Sequence, residues 1–334
     1  DGIPLGNFIS GNELVLPEIG AALEKGKSVI IDGCFYHKEQ IEHFIQNCDA
    51  PTFVFTLKAA LEVCIERDKG REKSYGEGAT WAVHSMVSKF DYGTVINTED
   101  RNPEETMGEI ESNLSRKFST IFWDSDGTLV DTEPPYFKFT QQVLKEVGID
   151  LTREWYINEQ LKNDRSAFEL AQEKGESEET IQAMRKKRDE LYLEFLKSEV
   201  RVMKGAVETL KILHGKIPMG VVTTSRRVNF EQIMTSTGLA KYFNFFIVRE
   251  DVILAKPDPE PYLKAWEISG LPKEKCLVIE DTERGVTSAK AAGLPCFAIP
   301  NELSKDNDFS KADGIFKNLE EILEYITASS PKPY

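Results

Sequence analysis

Residues Ile121 to Pro134 read I-F-W-D-S-D-G-T-L-V-D-T-E-P, an apolar run that stops abruptly at two aspartates one residue apart. A buried strand of a parallel sheet delivers carboxylates to the sheet's carboxyl edge in this way, so the stretch predicts an α/β core with its chemistry at that edge. Period-two alternation puts Asp124 and Asp126 on one side of the extended chain, close enough to share a cation. Gly127 permits a sharp exit that a bulky residue resists. Taken alone, such a pair also describes a strand ending in a solvated acidic turn, and three further strand ends decide between the two.

The first follows Ile217 to Val222, an apolar run that ends in Thr223-Thr224-Ser225-Arg226-Arg227. Hydroxyls and backbone amides entering a helix there make an anion-binding turn. The second strand, Phe245 to Val248, leads to Lys256-Pro257-Asp258-Pro259, where prolines fix the backbone and aim one ammonium. The third, Cys276 to Ile279, ends in Glu280-Asp281, with Gly285 and Ala289 to Gly293 letting the next helix pack closely. Between Pro134 and about Val200 the chain reads as charged helices with nothing strand-like between them. A helical insert placed directly after the first strand is expected to cover that strand's end as a lid, the alternative being a separate peripheral bundle.

These residues resemble the haloacid dehalogenase-like phosphohydrolase superfamily, in the branch of phosphatases and β-phosphoglucomutases with a helical cap. The resemblance covers about residues 119–327 and rests on D-S-D-G-T, Thr223, the lysine of A-K-P-D-P-E-P-Y, and E-D with A-A-G downstream. It implies a Rossmann-like core over residues 117–330 with a cap at about 134–200. It further implies that Asp124 is a nucleophile becoming aspartyl-phosphate, and that Asp126 is the acid for the leaving group and then the base for water. Thr223, Thr224 and Lys256 would hold phosphoryl oxygens. Magnesium would bind Asp124, the main-chain carbonyl of Asp126 and Asp281, with Glu280 a ligand or a support. The chemistry agrees, because a carboxylate nucleophile divides a very slow phosphate-ester hydrolysis into two displacements. In the cap, Asn163 stands where the family usually has glycine. Arg165 is a candidate for touching substrate, a solvated helix-start arginine being the alternative.

The first third alternates helix and strand, which predicts a second parallel sheet. A helix is expected over 13–25, strands over Ser28–Asp32, Thr52–Thr56 and Thr94–Asn97, helices over Lys38–Gln46 and Leu57–Arg67, and another helix after Gly78. Asn102-Pro103-Glu104-Glu105 caps a last helix to about Arg116. Residues 5–115 resemble the later part of an adenylate-kinase-like P-loop kinase. The residues that carry this are G-N-E-L-V, I-D-G followed by Gln40, and E-R-D-K-G-R with Arg67 and Arg71 as lid arginines. Asp32, Arg67 and Arg71 are the implied nucleotide residues. Phe35-Tyr36-His37 stands where such kinases place an arginine. No phosphate-binding loop is present: Gly20 to Ser28 has five residues between its first two glycines rather than four. A helix precedes that stretch and a strand is expected after it, the reverse of what such a loop needs. We therefore expect residues 1–116 to be a P-loop-kinase-like domain whose loop belongs upstream, and no ATP binding without it.

A net charge of −15 over 334 residues, with a pI near 4.9, does not fit a phosphate-backbone binder, and nucleic acid is not an expected partner. Five scattered cysteines without C-x-x-C spacing predict neither a disulfide framework nor a zinc site, and fit a reducing cytoplasm. No apolar run approaches the roughly 18 residues of a membrane span. The sequence thus predicts a cytoplasmic, magnesium-dependent phosphatase of a small phosphorylated metabolite, fused to a kinase-like domain. Three alternatives stay open: a β-phosphoglucomutase-like sugar phosphomutase, a bifunctional kinase/phosphatase including polynucleotide end-processing, and a kinase-like part that serves only for docking or dimerisation.

Overall fold

Strands β3 (Thr120–Trp123), β4 (Met219–Val222) and β6 (Cys276–Glu280) are buried along their whole length, which is why they read as unbroken apolar runs. They belong to a computed structural model that describes residues 4–114, 118–163 and 165–327; residues 115–117, where the short link between the predicted domains falls, and Asp164 of the cap lie outside the described residues. The chain divides into two compact units, residues 1–116 with 313–315, and residues 117–312 with 316–334.

In the first unit, α1 (Leu5–Leu23) begins eight residues earlier than the periodicity places it. The glycine-spaced stretch after Gly20 is this helix's carboxyl end: Gly26 has φ +70°, and the Lys27 amide donates to Ala22 O at 3.1 Å. The strand expected over Ser28–Asp32 does not form. That stretch belongs to neither sheet among the described residues, and Ile30 is 92% exposed. β-branched residues favour a strand only where a neighbour pairs with it and a layer covers it, and β1 (Phe55–Lys58) and β2 (Thr94–Asn97) pair in parallel with each other alone. Around them stand α2 (Lys38–Asn47), α3 (Leu61–Lys69), α4 (Glu77–Val87) and α5 (Pro103–Leu114). The Asn102 cap is present in full, with Glu105 N donating to Asn102 Oδ1 at 2.8 Å and Asn102 N to Glu105 Oε2 at 2.9 Å.

In the second unit, β3 is followed by α6 (Glu133–Glu146), the one-turn α7 (Arg153–Trp155) continuing as π-helical turns over Tyr156–Lys162, α8 (Glu169–Glu173) and α9 (Glu178–Ser198). These helices have an apolar centre of their own, built on residues such as Leu144, Tyr156, Leu161, Phe168 and Met184. The two chain segments that leave and rejoin the core are paired: Asp131 N donates to Arg201 O and Met203 N to Leu129 O, each at 2.9 Å. The helical insert is thus a module on a two-stranded stem. Then come α10 (Ala206–Leu213), β4, α11 (Arg227–Thr237), β5 (Phe245–Ile247), α12 (Glu260–Ser269), β6, α13 (Glu283–Ala291), β7 (Cys296–Ala298) and α14 (Leu319–Thr327), while the two-residue β8 (Gly314–Ile315) falls within residues 313–315 of the first unit.

The strands run in the order β5-β4-β3-β6-β7, all parallel. The chain proceeds from β3 outward through β4 to β5, then returns to β3's other side with β6. That reversal opens a crevice at the carboxyl ends of the central strands. Gly220 on β4 allows the Phe245 ring of β5 to pass where a Cβ would lie 2.2 Å from it.

Candidate active site

Each central strand delivers charged or hydroxyl groups to the crevice. Asp124 directly follows β3, Thr223 follows β4, and Glu280 with Asp281 closes β6. Lys256 arrives from the segment before α12 and is 3% exposed. Its ammonium donates to Asp124 Oδ1 at 2.7 Å, Glu280 Oε1 at 2.7 Å and Val222 O at 2.8 Å, so all three of its protons have acceptors. The Tyr262 ring lies under it, 4.8 Å from the nitrogen, and the Tyr262 hydroxyl donates to the same Glu280 oxygen at 2.8 Å.

Glu280 is the structural centre of this cluster. Its second oxygen accepts the Asp281 amide at 3.1 Å and Thr282 Oγ1 at 3.2 Å. Gly285 on α13 sits so close that a Cβ there would lie 1.9 Å from the Glu280 carboxylate. The close approach expected of this helix is therefore made against Glu280.

Asp126 points away from Lys256's hydrogen bonds. Its Oδ1 accepts Thr132 Oγ1 at 2.6 Å, and its Oδ2 accepts Thr223 Oγ1 at 3.1 Å. Thr223 Oγ1 also accepts the Ser225 amide at 3.0 Å, while Thr224 lines the cleft. Gly127, at φ +89°, turns the chain so tightly that a Cβ would come within 2.1 Å of Asp281 Oδ2. Only glycine fits both that backbone and that space.

Burial dominates the electrostatics. It pushes Asp124 up to about 8 against the pull of Lys256, with Glu280 and Asp126 adding to the rise. Burial likewise raises Asp126, opposed by its two threonine hydroxyls. Asp281 is raised by burial and then by Asp124 and Glu280. Burial alone would lower Lys256, but Asp124 and Glu280 outweigh it and hold the ammonium above the ordinary lysine range.

Asp124, Glu280 and Asp281 each offer an oxygen within 4.8 Å of the others. Three carboxylates gathered so closely, with a single ammonium among them, favour a divalent cation bound through hard oxygen ligands, so these residues fit magnesium. The Asp126 side chain stands outside this set, which leaves its carboxylate for other work.

Of the remaining sequence candidates, Arg165 lies apart from the cleft. Its guanidinium is held within the insert by Glu169 at 2.9 Å, by Glu173 and by Glu159 at 3.7 Å, over the Trp155 ring. Arg67 is engaged with Thr98 Oγ1 at 3.0 Å and with the carbonyls of Thr98, Glu99 and Arg101 at the end of β2. Arg71 is 63% exposed and 4.0 Å from Asp68, and Asp32 lies in the exposed stretch over residues 28–32. The structure brings these three into no common site among the described residues.

Glu133 and Asn301 are among the cleft residues that escaped the sequence reading. Glu133, the first residue of α6, accepts the Tyr156 hydroxyl at 2.9 Å. Burial and then the nearby Asp126 push it up to about 7, against Tyr156 and Arg284. Its signal was local, an acid between Thr132 and a helix-opening proline just past the motif. The other, Asn301, donates to Asp281 Oδ2 at 2.7 Å from beyond β7, and no spacing rule connects the two.

Residues 121–299 match the family model described as haloacid dehalogenase-like hydrolase. The chain is 27% identical over 212 residues to the protein CbbY of Rhodobacter capsulatus, covering 59% of this chain and 92% of that protein. It is 28% identical over 184 residues to the fructose-1-phosphate phosphatase YqaB of Escherichia coli strain K12, covering 54% and 96%. The crystal structure of CbbY from Rhodobacter sphaeroides in complex with phosphate has the same fold, with a TM-score of 0.54 at 22% identity, over 61% of this chain and 96% of that one.

Proposed function

The chain belongs to the haloacid dehalogenase-like hydrolase family and is a phosphoric monoester hydrolase; from that premise we propose that it dephosphorylates a small sugar phosphate with magnesium, by way of an aspartyl-phosphate. The observation that carries this reading is the Lys256 ammonium set between the Asp124 and Glu280 carboxylates at the strand ends, with Asp126 beside them on separate hydrogen bonds.

In this reading an Asp124 oxygen attacks phosphorus while the ester oxygen departs with its bonding pair and takes a proton from Asp126. Water then attacks the same phosphorus, gives its proton to Asp126, and restores the Asp124 carboxylate with release of inorganic phosphate. Lys256 and the hydroxyls of Thr223 and Thr224 stabilise the phosphoryl oxygens. Asp124 has to be ionised to attack, and the ammonium 2.7 Å away favours that form against burial. Magnesium held by Asp124 and Asp281, with Glu280 behind them, would supply positive charge to the transferring group. The helical insert covers the strand ends and, with Glu133 and Leu161 lining the cleft, faces the leaving group.

For residues 1–116 we keep the kinase-like reading on the parallel pairing of β1 and β2 and their following helices. Among the described residues no helix is long and apolar enough to cross a membrane. None of the five cysteines is in a disulfide, which accords with a reducing cytoplasm.

The test is phosphate release from a panel of sugar phosphates, phosphoglycolate and p-nitrophenyl phosphate, with magnesium and with EDTA, for the wild type and Asp124→Asn. Magnesium-dependent release from sugar phosphates, lost in the variant, is expected. Full activity of Asp124→Asn, or undiminished release in EDTA, would overturn the mechanism.

A further inference from the structure

Beyond β7 the chain makes a compact turn that touches two things at once, the acidic cluster and the helical insert. Asn301 Nδ2 donates to Asp281 Oδ2 at 2.7 Å and reaches Gly127 O at 3.4 Å. Its Oδ1 accepts the amides of Leu303 at 2.9 Å and Ser304 at 3.2 Å, and Ser304 Oγ accepts the Asn301 amide at 3.0 Å. This partnering fixes which way the side-chain amide faces: reversing it would set a carbonyl against a carboxylate and an NH2 against two N–H groups. Thr128 Oγ1 lies 3.4 Å from the other Asp281 oxygen. Asp281 is therefore held from both ends, and its carboxylate plane is not free to turn.

Two residues further on, Leu303 packs into the apolar centre of the insert, with Leu161 and Phe168. The insert also grips the turn's backbone: Arg153 Nη2 donates to Glu302 O at 2.6 Å and Lys162 Nζ to Asp306 O at 3.1 Å. A displaced insert therefore pulls on Leu303, on the amides that orient Asn301, and so on Asp281.

We infer that Asn301 is a positioning residue, which holds Asp281 in its cation-binding orientation and couples that orientation to the seating of the helical insert through Leu303. The inference rests on the divalent-cation reading of the acidic cluster. A charge-assisted hydrogen bond is short and directional, and at 2.7 Å this one restricts the carboxylate rather than merely neutralising it. The insert would then govern the affinity of the core for its cation, as well as access to the cleft.

The experiment is calorimetric titration of magnesium chloride into the full chain, with no substrate present, for the wild type, Asn301→Ala, Leu303→Ala and the double variant. Asn301→Ala should weaken magnesium binding about tenfold or more. Leu303→Ala, which leaves every polar group of the cluster in place, should weaken it severalfold. In the Asn301→Ala background the Leu303 substitution should add nothing further, because the path from insert to carboxylate is already cut. Wild-type magnesium affinity in Asn301→Ala would overturn the inference while leaving the site reading intact, as would strictly multiplicative effects of the two substitutions. A wild type that binds no magnesium would overturn both. Should Asn301→Ala fail to fold by circular dichroism, Leu303→Ala alone decides: unchanged affinity overturns the coupling.

Discussion

Lys256 Nζ lies 2.7 Å from Asp124 Oδ1, and both side chains are withdrawn from solvent. The ammonium also keeps Asp124 apart from Glu280, since it bonds to both. Replacing it by methionine preserves much of the volume over the Tyr262 ring but leaves two buried carboxylates facing each other. Breaking a buried pair from one side costs about 3–5 kcal/mol. Lys256→Met should therefore lose that much stability near pH 8, and less near pH 5, where Asp124 carries its proton. Urea unfolding at the two pH values checks this. Equal losses at both would show that the ammonium contributes packing alone.

Asp126 is held by Thr132 and Thr223 and lies outside the cluster that fits a cation. Burial raises it, so it carries a proton to higher pH than an exposed aspartate does. Asp126→Asn should lower turnover of sugar phosphates about 10²- to 10⁴-fold, as expected for loss of a general acid and base. The loss should be smaller for p-nitrophenyl phosphate, whose leaving group needs no proton. Identical losses for both substrates would assign Asp126 to binding instead.

The readable part of this site was the part carried by strand ends. D-S-D-G-T, Thr223, Lys256 and Glu280-Asp281 each follow an apolar run, and period-two alternation with proline and glycine placement states which way they face. What was not readable depends on partners distant in sequence. Asn301 reaches Asp281 across 20 residues, and Tyr156 reaches Glu133 across 23, from a π-helical segment that no apolar period announces. Arg165 has the same sequence appearance whether it meets a substrate or three glutamates of its own module. The misplaced strand at Ser28–Asp32 has a related cause. Its β-branched residues describe a side-chain preference, while a ladder requires a neighbour that the local sequence does not specify.

Asp281 accepts hydrogen bonds from Asn301 and Thr128 and still shares the 4.8 Å cluster with Asp124 and Glu280. Asp281→Asn keeps the shape and removes the charge that a divalent ion needs. The magnesium concentration for half-maximal activity should rise at least tenfold, while the KM for substrate at saturating metal changes little. A magnesium titration of p-nitrophenyl phosphate hydrolysis reads both. An unchanged metal requirement would move the ligand role to Glu280.

Glu133 gives a prediction of opposite character, in which removing a charge adds stability. Its folded-state value of about 7, against an ordinary 4.5, means that between those values the native protein holds a proton that the unfolded chain has released. Stability falls wherever the native state binds more protons as pH rises, so the contribution of the neutral carboxyl is fully present below about 4.5 and gone above about 7. Glu133→Gln cannot ionise, yet its amide oxygen can still accept the Tyr156 hydroxyl. With EDTA present, the two proteins should have similar stability at pH 4, and the variant should be the more stable by up to about 3 kcal/mol at pH 8. Asp126 and Asp281 interact with Glu133, so the difference in urea midpoints across this range reads Glu133 together with its repulsion from those two carboxylates. Parallel curves would mean that Glu133 releases its proton over the same pH range folded as unfolded, with Tyr156 and Arg284 offsetting burial and Asp126.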